Sequence, residues 1–367
     1  MFYTLLPILF TISVVLQIGY LLFINLGFNK VNGTKNTILD PLSIIICAKN
    51  ELSNLQILLP ELLQQTHPNF EMVIVNDRST DGTREFLEKK KKDSTKLNVV
   101  HIQTTPAHIN PKKYAITLGV KAAHNEKLIF TDADCRPNSN DWLTHISGAF
   151  DERTDIVLGY SGYEKMKGFL NYFIRFETLW TGMQYIAFAA LGYPYMGVGR
   201  NMGYKKGLFL KSKGFNGYQE LTGGDDDLFI QKNANSGNTA IAIGSENLVW
   251  SKPKTTFKAY YFQKLRHLSI GKYYSFKSKI ILSIWSFSHL LFWALFVCLA
   301  ILKIELYLLA GSFFLRTFIF YFTFKRSYRK LGERFELWGL MALDCIFVVY
   351  YTSVGIMALF TKRVKWI

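Results

Sequence analysis

The stretch Leu42-Ser43-Ile44-Ile45-Ile46-Cys47-Ala48-Lys49-Asn50-Glu51 sets the reading of this chain. Its β-rich run Leu42–Cys47 is short and apolar, and it breaks off in polar residues, as a strand of a buried parallel sheet does. Three similar runs follow, at Glu71–Asn76, Leu97–Ile102 and Lys127–Thr131. Between the first two, Leu52, Leu55, Leu58, Leu59, Leu62 and Leu63 recur at helical spacing. Between the next two, Ser79-Thr80-Asp81-Gly82 is a turn and capping signal ahead of a helix over Thr83–Lys92, whose lysine-rich end is solvated. Strands alternating with helices from Pro41 to about Ala123 predict an α/β fold with a mostly parallel central sheet. In open sheets of this kind ligands gather beyond the carboxyl ends of the strands. Those ends carry Lys49-Asn50-Glu51, Asp77 and Asp132-Ala133-Asp134.

Outside this block the composition changes. The 367 residues hold 43 Lys plus Arg against 27 Asp plus Glu, a net charge of +16, and 49% are hydrophobic, which is too apolar for a disordered chain and high for a soluble one. The apolar residues cluster: no Lys, Arg, Asp or Glu occurs from Met1 to Asn29 or from Ile280 to Leu302. Each stretch exceeds the roughly 20 helical residues that cross a hydrocarbon core. Residues 1–29 lack a basic leader and a small-residue cleavage site, so they read as an uncleaved anchor. Lys30 and Lys35 follow it, and the positive-inside bias then puts residues 40–256 in the cytoplasm, as a domain on the inner face of the cell membrane.

Residues 257–279 mix aromatics with Lys258, Lys264, Arg266, Lys272, Lys277 and Lys279, the pattern of basic amphipathic helices on an anionic bilayer. Residues 280–367 form a membrane region of two to three transmembrane segments. Arg316 and Asp344 interrupt it, and charges at such depth face protein, a polar cavity or each other. The Lys325–Arg334 loop and the Lys362-Arg363-Val364-Lys365 end are both basic, although a single span between them would separate them, so one segment is expected to be re-entrant, interfacial or a hairpin. The four cysteines form no CxxC pair and call for no oxidising compartment. Nucleic acid is not an expected partner, because the basic residues concentrate beside membrane segments and no nucleic-acid motif accompanies them.

The chemistry lies in an ordered set: Asp77, then Asp132-Ala133-Asp134, then Gly224-Asp225-Asp226-Asp227-Leu228, then Gln263-Lys264-Leu265-Arg266 just before a membrane segment. With the Ser43–Glu51 opening, the Val75–Thr83 turn and Lys112-Lys113, these motifs resemble a membrane-bound glycosyltransferase of family 2 with the GT-A nucleotide-sugar fold, over roughly residues 40 to 275. Within that family the chain is similar to cellulose, hyaluronan and poly-N-acetylglucosamine synthases and to non-processive relatives with the same membrane tail.

The resemblance implies a role for each motif. Asp77 binds the nucleoside with Glu51 beside it. Asp134 is the direct ligand of Mg²⁺ or Mn²⁺, with Asp132 nearer the nucleotide and sugar; hard oxygen donors suit either ion. Lys112 meets the diphosphate, although Pro111 stands where the family has Gly, and a plain surface lysine is the alternative. One carboxylate of the acidic cluster takes the acceptor proton. Spacing to Leu228 favours Asp225, and counting from Gly224 favours Asp226. The same cluster also reads as an acidic helix N-terminus. Gln263 and Arg266 match the family's Gln-x-x-Arg-Trp element with His267 in place of Trp, which removes a stacking platform for a growing glycan. Arg200 lies in Gly197-Val198-Gly199-Arg200-Asn201, which matches an acceptor-facing loop.

The chain therefore reads as an inverting, metal-dependent glycosyltransferase that moves a sugar from a UDP-linked donor to a glycan or lipid-linked acceptor. A processive synthase that exports its product and a catalytically silent nucleotide-binding scaffold are the alternatives.

Overall fold

The computed structural model of the chain describes residues 2–31 and 39–361; Lys35 and the basic residues Lys362, Arg363 and Lys365 lie outside them. The strands are β1 (Leu42–Ala48), β2 (Phe70–Asp77), β3 (Leu97–Ile102), β4 (Lys127–Asp132), β5 (Cys135–Pro137), β6 (Ile156–Leu158), β7 (Ser161–Tyr163), β8 (Met202–Lys205), β9 (Thr239–Ile241) and β10 (Val249–Ser251). The α-helices are α1 (Phe2–Lys30), α2 (Leu52–Leu63), α3 (Thr83–Asp93), α4 (Pro111–Ala122), α5 (Trp142–Ser147), α6 (Phe169–Ala190), α7 (Lys206–Lys211), α8 (Asp227–Asn233), α9 (Phe257–Ile270), α10 (Phe276–Leu302), α11 (Leu306–Lys330) and α12 (Leu340–Phe360).

The main sheet runs β3-β2-β1-β4-β8-β6-β9, and a smaller one runs β5-β10-β7. β1 to β4 are mutually parallel where they pair, while β8 is antiparallel to β4 and β6. β1 is buried on both faces, as a strand inside a parallel sheet has to be. The chain steps outward from β1 to β2 and β3, then returns to place β4 on the other side of β1. That reversal opens a crevice beyond the strand ends. The register aligns those ends: Cys47 lies opposite Asp132, and Ala48 lies opposite Asn76. Asp77 and Asp132 therefore emerge at one edge, in the position the sequence reading assigned to them.

Helix α4 crosses β1 and β2 closely at Gly119, where a Cβ would lie 2.7 Å from Cγ2 of Ile45, so only glycine fits. Close packing there fixes the helix N-terminus above the crevice. The small sheet ties two distant segments together, since Ser251 pairs with both Cys135 and Tyr163.

Among the described residues, four helices are long and apolar enough to cross a membrane: α1, α10, α11 and α12. Helix α6 is buried along almost its whole length and lies between them and the sheet. Its Trp180 ring lies 4.4 Å from that of Trp285 of α10, tilted by 38°, and the Trp285 ring lies 5.0 Å from that of Tyr20 of α1. Arg316 and Asp344 face each other. The guanidinium donates to both carboxylate oxygens at 2.5 and 3.1 Å and to Gln17 Oε1 at 3.0 Å. His289 Nε2 lies 3.1 Å from Asp344, and Gln17 donates to Ser288 Oγ at 2.8 Å.

Both ends of α12 touch elements of the α/β side. The Gly339 N–H donates to the Tyr172 hydroxyl of α6 at 3.2 Å. At the other end Lys272 Nζ donates to the Thr361 carbonyl at 2.5 Å, and Val354 and Ala358 pack with Leu265 of α9.

Candidate active site

Two loops form the donor side of the crevice. After β1 the chain turns through Asn50, at φ 57°, and after β2 through Arg78, at φ 55°; side chains rarely adopt this left-handed region outside turns. Hydrogen bonds clip the two turns together. The Asn50 N–H donates to Ser79 Oγ at 2.9 Å, and the Thr80 N–H donates to Asn50 Oδ1 at 2.8 Å. Asp81 Oδ2 accepts from the Leu52 N–H at 3.0 Å, so it caps α2 from the neighbouring loop. The turn folds Arg78 back on Asp77, donating at 2.7 and 3.2 Å. Asp77 is buried, and Glu51 accepts from Asn54 Nδ2 at 2.6 Å. Burial pushes the Glu51 carboxyl above its usual range, and the charges of Asp134 and Asp132 add to this against the Asn54 hydrogen bond.

Asp132 ends β4 and Asp134 follows it. Their carboxylate oxygens and Cys135 Sγ lie within 4.8 Å of one another. Burial, then the nearby Asp132 charge, pushes the Asp134 carboxyl up. Two hard carboxylates forced together in this way fit a divalent cation such as Mg²⁺ or Mn²⁺. The buried Cys135 thiol points at Asp134 Oδ1 from 3.6 Å. Burial raises its pKa, so it stays a thiol and offers no hard ligand.

Lys112 joins the two sides. Its Nζ lies 3.3 Å from Asp132 Oδ1 and 3.3 Å from Asp225 Oδ2. Burial pushes the ammonium down, but Asp132, Asp225 and Asp226 hold its pKa well above the usual value. Lys112 occupies the first turn of α4. Pro111 takes the first helical position, where its fixed φ and missing N–H cost nothing, and Asn110 caps the helix by accepting from the Lys112 N–H at 3.1 Å.

The acidic cluster divides into three roles. Asp226 caps α8: its Oδ1 accepts from the Asp227 N–H at 2.9 Å and its Oδ2 from the Gly199 N–H at 3.0 Å. Asp227 is buried and accepts from the Tyr274 hydroxyl at 2.5 Å. Burial and then the Asp226 charge push its carboxyl well above the usual range. Asp225 stands ahead of the helix, with Lys112 as its ionic partner. Burial pushes it up, but the Lys112 ammonium outweighs this and holds the carboxyl low. Asp225 and Asp226 line one pocket with Lys112, Asp132, Gly199 and Cys47.

Gln263 and Arg266 lie on one face of α9, with Ile270 one turn on, against Gly223 and Gly224. Gln263 Nε2 donates to the Tyr163 hydroxyl at 3.0 Å. The Arg266 guanidinium lies in the field of Asp225, Asp132 and Asp226. Arg200 stacks on the Tyr163 ring, 4.5 Å from its centroid, and the charges of Asp132 and Asp134 act on it. His267 is exposed beside them.

The crevice thus brings Lys112, Asp132, Asp134, Asp225 and Asp226 together, with Arg266 in the field of Asp225, Asp132 and Asp226. Gln263 and Arg200 meet on Tyr163 at one wall, and Asp77 with Glu51 lies on the β1–β2 side. Sequence reasoning missed Tyr163, Tyr274 and the Asp81 clip. Asp81 was within reach as a capping residue, but its partner is α2 as well as α3. Tyr163 sits on a three-residue strand with no periodicity to announce it.

The chain matches two families, described as Glycosyl transferase family 2, over residues 43–211, and Glycosyl transferase family group 2, over residues 128–351. It belongs to this family of glycosyltransferases, with a GT-A-like α/β fold beside four helices long and apolar enough to cross a membrane. TuaG of Bacillus subtilis (strain 168), a proposed teichuronic acid biosynthesis glycosyltransferase, is 29% identical over 92 residues, which is 25% of this chain and 35% of TuaG. The alignment thus spans about a third of that relative. The mannosyltransferase PcManGT of Pyrobaculum calidifontis, solved with GDP-Man and Mn²⁺, shares the fold at a TM-score of 0.66 and 16% identity, over 99% of this chain and 100% of its own. S. aureus TarS residues 1–349, solved with UDP-GlcNAc, aligns at a TM-score of 0.42 and 16% identity over 86% of this chain and 90% of that one.

Proposed function

We propose that the protein is an inverting, metal-dependent glycosyltransferase that moves one sugar from a nucleoside-diphosphate sugar to a lipid-linked or glycan acceptor at the cytoplasmic face of the cell membrane. The observation that carries this reading is Lys112, which spans the crevice between Asp132 and Asp225 at 3.3 Å from each. An acid pair on the donor side and a carboxylate across from it, with a cation between them, suit a single displacement at a sugar carbon. The UDP expectation stands beside GDP-Man as the donor bound to PcManGT.

Asp77, with Glu51 and the clipped turns, holds the nucleoside. Asp134, with Asp132 beside it, holds Mg²⁺ or Mn²⁺, which supplies counter-charge for the departing diphosphate. Lys112 can exchange a carboxylate partner for a phosphate oxygen, and Arg266 offers its fork of donors from above. Asp225 takes the acceptor hydroxyl proton, because both oxygens of Asp226 are committed to backbone N–H groups. Arg200 and Gln263 line the acceptor side.

The division into an anchor (1–29), a catalytic domain (40–256), interfacial helices (257–279) and a membrane region (280–367) is part of the proposal. We read α1, α10 and α11 as spans and α12 as a segment that stays with the catalytic face, since both its ends touch elements of that side. Single transfer is favoured over polymer export because Gln17, Ser288, His289, Arg316 and Asp344 bond to one another between the membrane helices instead of lining a path. Incubation of the purified protein with UDP-GlcNAc and GDP-Man, with Mn²⁺ or EDTA, tests the reading. Metal-dependent release of nucleoside diphosphate that Asp134→Ala and Asp225→Ala abolish is expected, and full release by folded variants would overturn the assignments.

A further inference from the structure

The turn between α11 and α12 carries Glu333 into the α/β domain, where its side chain is fully buried. The Tyr160 hydroxyl donates to Glu333 Oε2 at 2.5 Å, and Arg175 Nε of α6 lies 3.6 Å from Oε1. The fit is tight on both sides. A Cβ at Gly162 would lie 2.9 Å from Glu333 Oε2. Gly332, at φ 81°, lies so close to the Ser245 backbone that a Cβ would come within 2.3 Å of its nitrogen.

Tyr160 is the last residue before β7, and the carbonyl of Tyr160 accepts from Asn201 Nδ2 at 2.6 Å. Tyr160 therefore touches both segments that build one wall of the crevice: β7, which bears Tyr163, and the turn that bears Arg200. A carboxylate removed from water into this position costs free energy that an apolar residue of similar volume would avoid. One of its partners, Tyr160, belongs to the main apolar core and at the same time adjoins β7 and Asn201 of the site. We infer that Glu333 is a positioning residue that holds Tyr160, and through it β7 and Asn201, in the register that presents Arg200, Tyr163 and Gln263 to the crevice. The membrane region thereby sets the geometry of the wall that faces the acceptor. This rests on the proposed transfer reaction for its purpose, but not for its geometry.

Hydrogen exchange on the full-length protein in detergent tests it, together with binding of UDP and GDP in the presence of Mn²⁺. In Glu333→Ala, and in Tyr160→Phe, which removes only one hydroxyl, amide exchange in residues 159–164 and 197–201 should rise about tenfold or more. Exchange in β1, β2 and β4 and nucleotide affinity should stay within about threefold of wild type. Glu333→Gln keeps an oxygen for the Tyr160 hydroxyl and should restore wild-type exchange. Unchanged exchange in Tyr160→Phe, a loosening spread evenly over the domain, or failure of Glu333→Gln to rescue would each overturn the inference. If Glu333→Ala does not fold, Tyr160→Phe and Glu333→Gln decide it. A wild-type protein that bound neither nucleotide would instead contradict the proposed function and leave the exchange result standing.

Discussion

Two clusters of buried charge can be set side by side. Between the membrane helices, Arg316 and Asp344 form a one-to-one pair, with Gln17 and His289 completing its hydrogen bonds. In the crevice, Asp132, Asp134, Asp225, Asp226 and Asp227 crowd around Lys112, with two arginines at the rim. The first cluster balances one guanidinium against one carboxylate, and of that pair's polar atoms Arg316 Nε alone lacks a hydrogen bond. The second packs several carboxylates around one ammonium, and an excess of negative charge of this kind suits a divalent cation. Buried charge by itself therefore does not mark function; an excess of one sign is the better marker.

Substitutions should separate the clusters by what they damage. The largest effect falls in the crevice: Asp225→Asn should lower sugar transfer by about 10²–10⁴-fold, the range for loss of a general base, with little change in melting temperature. In the membrane cluster the balance reverses. Asp344→Asn or Arg316→Met should destabilise the detergent-solubilised protein by about 3–5 kcal/mol, because each leaves an unpaired buried charge. The double change Arg316→Met with Asp344→Leu should recover much of that stability, as measured by thermal unfolding. Lys112→Met belongs to the crevice and should reduce turnover about 10- to 100-fold, in keeping with about 1.5–3 kcal/mol for hydrogen bonds to charged groups.

The smallest effect is on pH. Burial pushes the Glu333 carboxyl up to about 7, against the Tyr160 hydroxyl and Arg175 that hold it down. A carboxyl raised on folding stabilises fully below its ordinary value near 4.5, and the contribution is lost as pH rises through about 7. The melting temperature should therefore fall between pH 5 and pH 8 more steeply in wild type than in Glu333→Gln.

The sheet was legible because its strands are continuous apolar runs that stop at charged residues. Leu42–Cys47 and Lys127–Thr131 announce both their burial and the edge where chemistry collects. The carboxylates were legible for the same reason. The division of labour within Asp225–Asp227 was not, because three identical side chains differ only in which backbone N–H groups they meet, and Gly199 arrives from a distant segment. Tyr163 and Glu333 were illegible on different grounds. One lies on a three-residue strand, and the other sits in a basic loop that reads as solvated but is drawn inward by Tyr160 and Arg175. Arg316 and Asp344 stood out as the charges that interrupt the apolar tail, and facing each other was one of three expectations for them, whereas their partners His289 and Gln17 gave no sign.

The most direct test is release of nucleoside diphosphate from UDP-GlcNAc and GDP-Man by wild type, Asp225→Asn and Asp226→Asn, each with Mn²⁺ and with EDTA. Metal-dependent release should survive best in Asp226→Asn, where the cap can persist through an amide oxygen, and should be lost in Asp225→Asn. Release that resists EDTA, or that Asp225→Asn leaves intact while Asp226→Asn abolishes it, would contradict the assignment of the crevice.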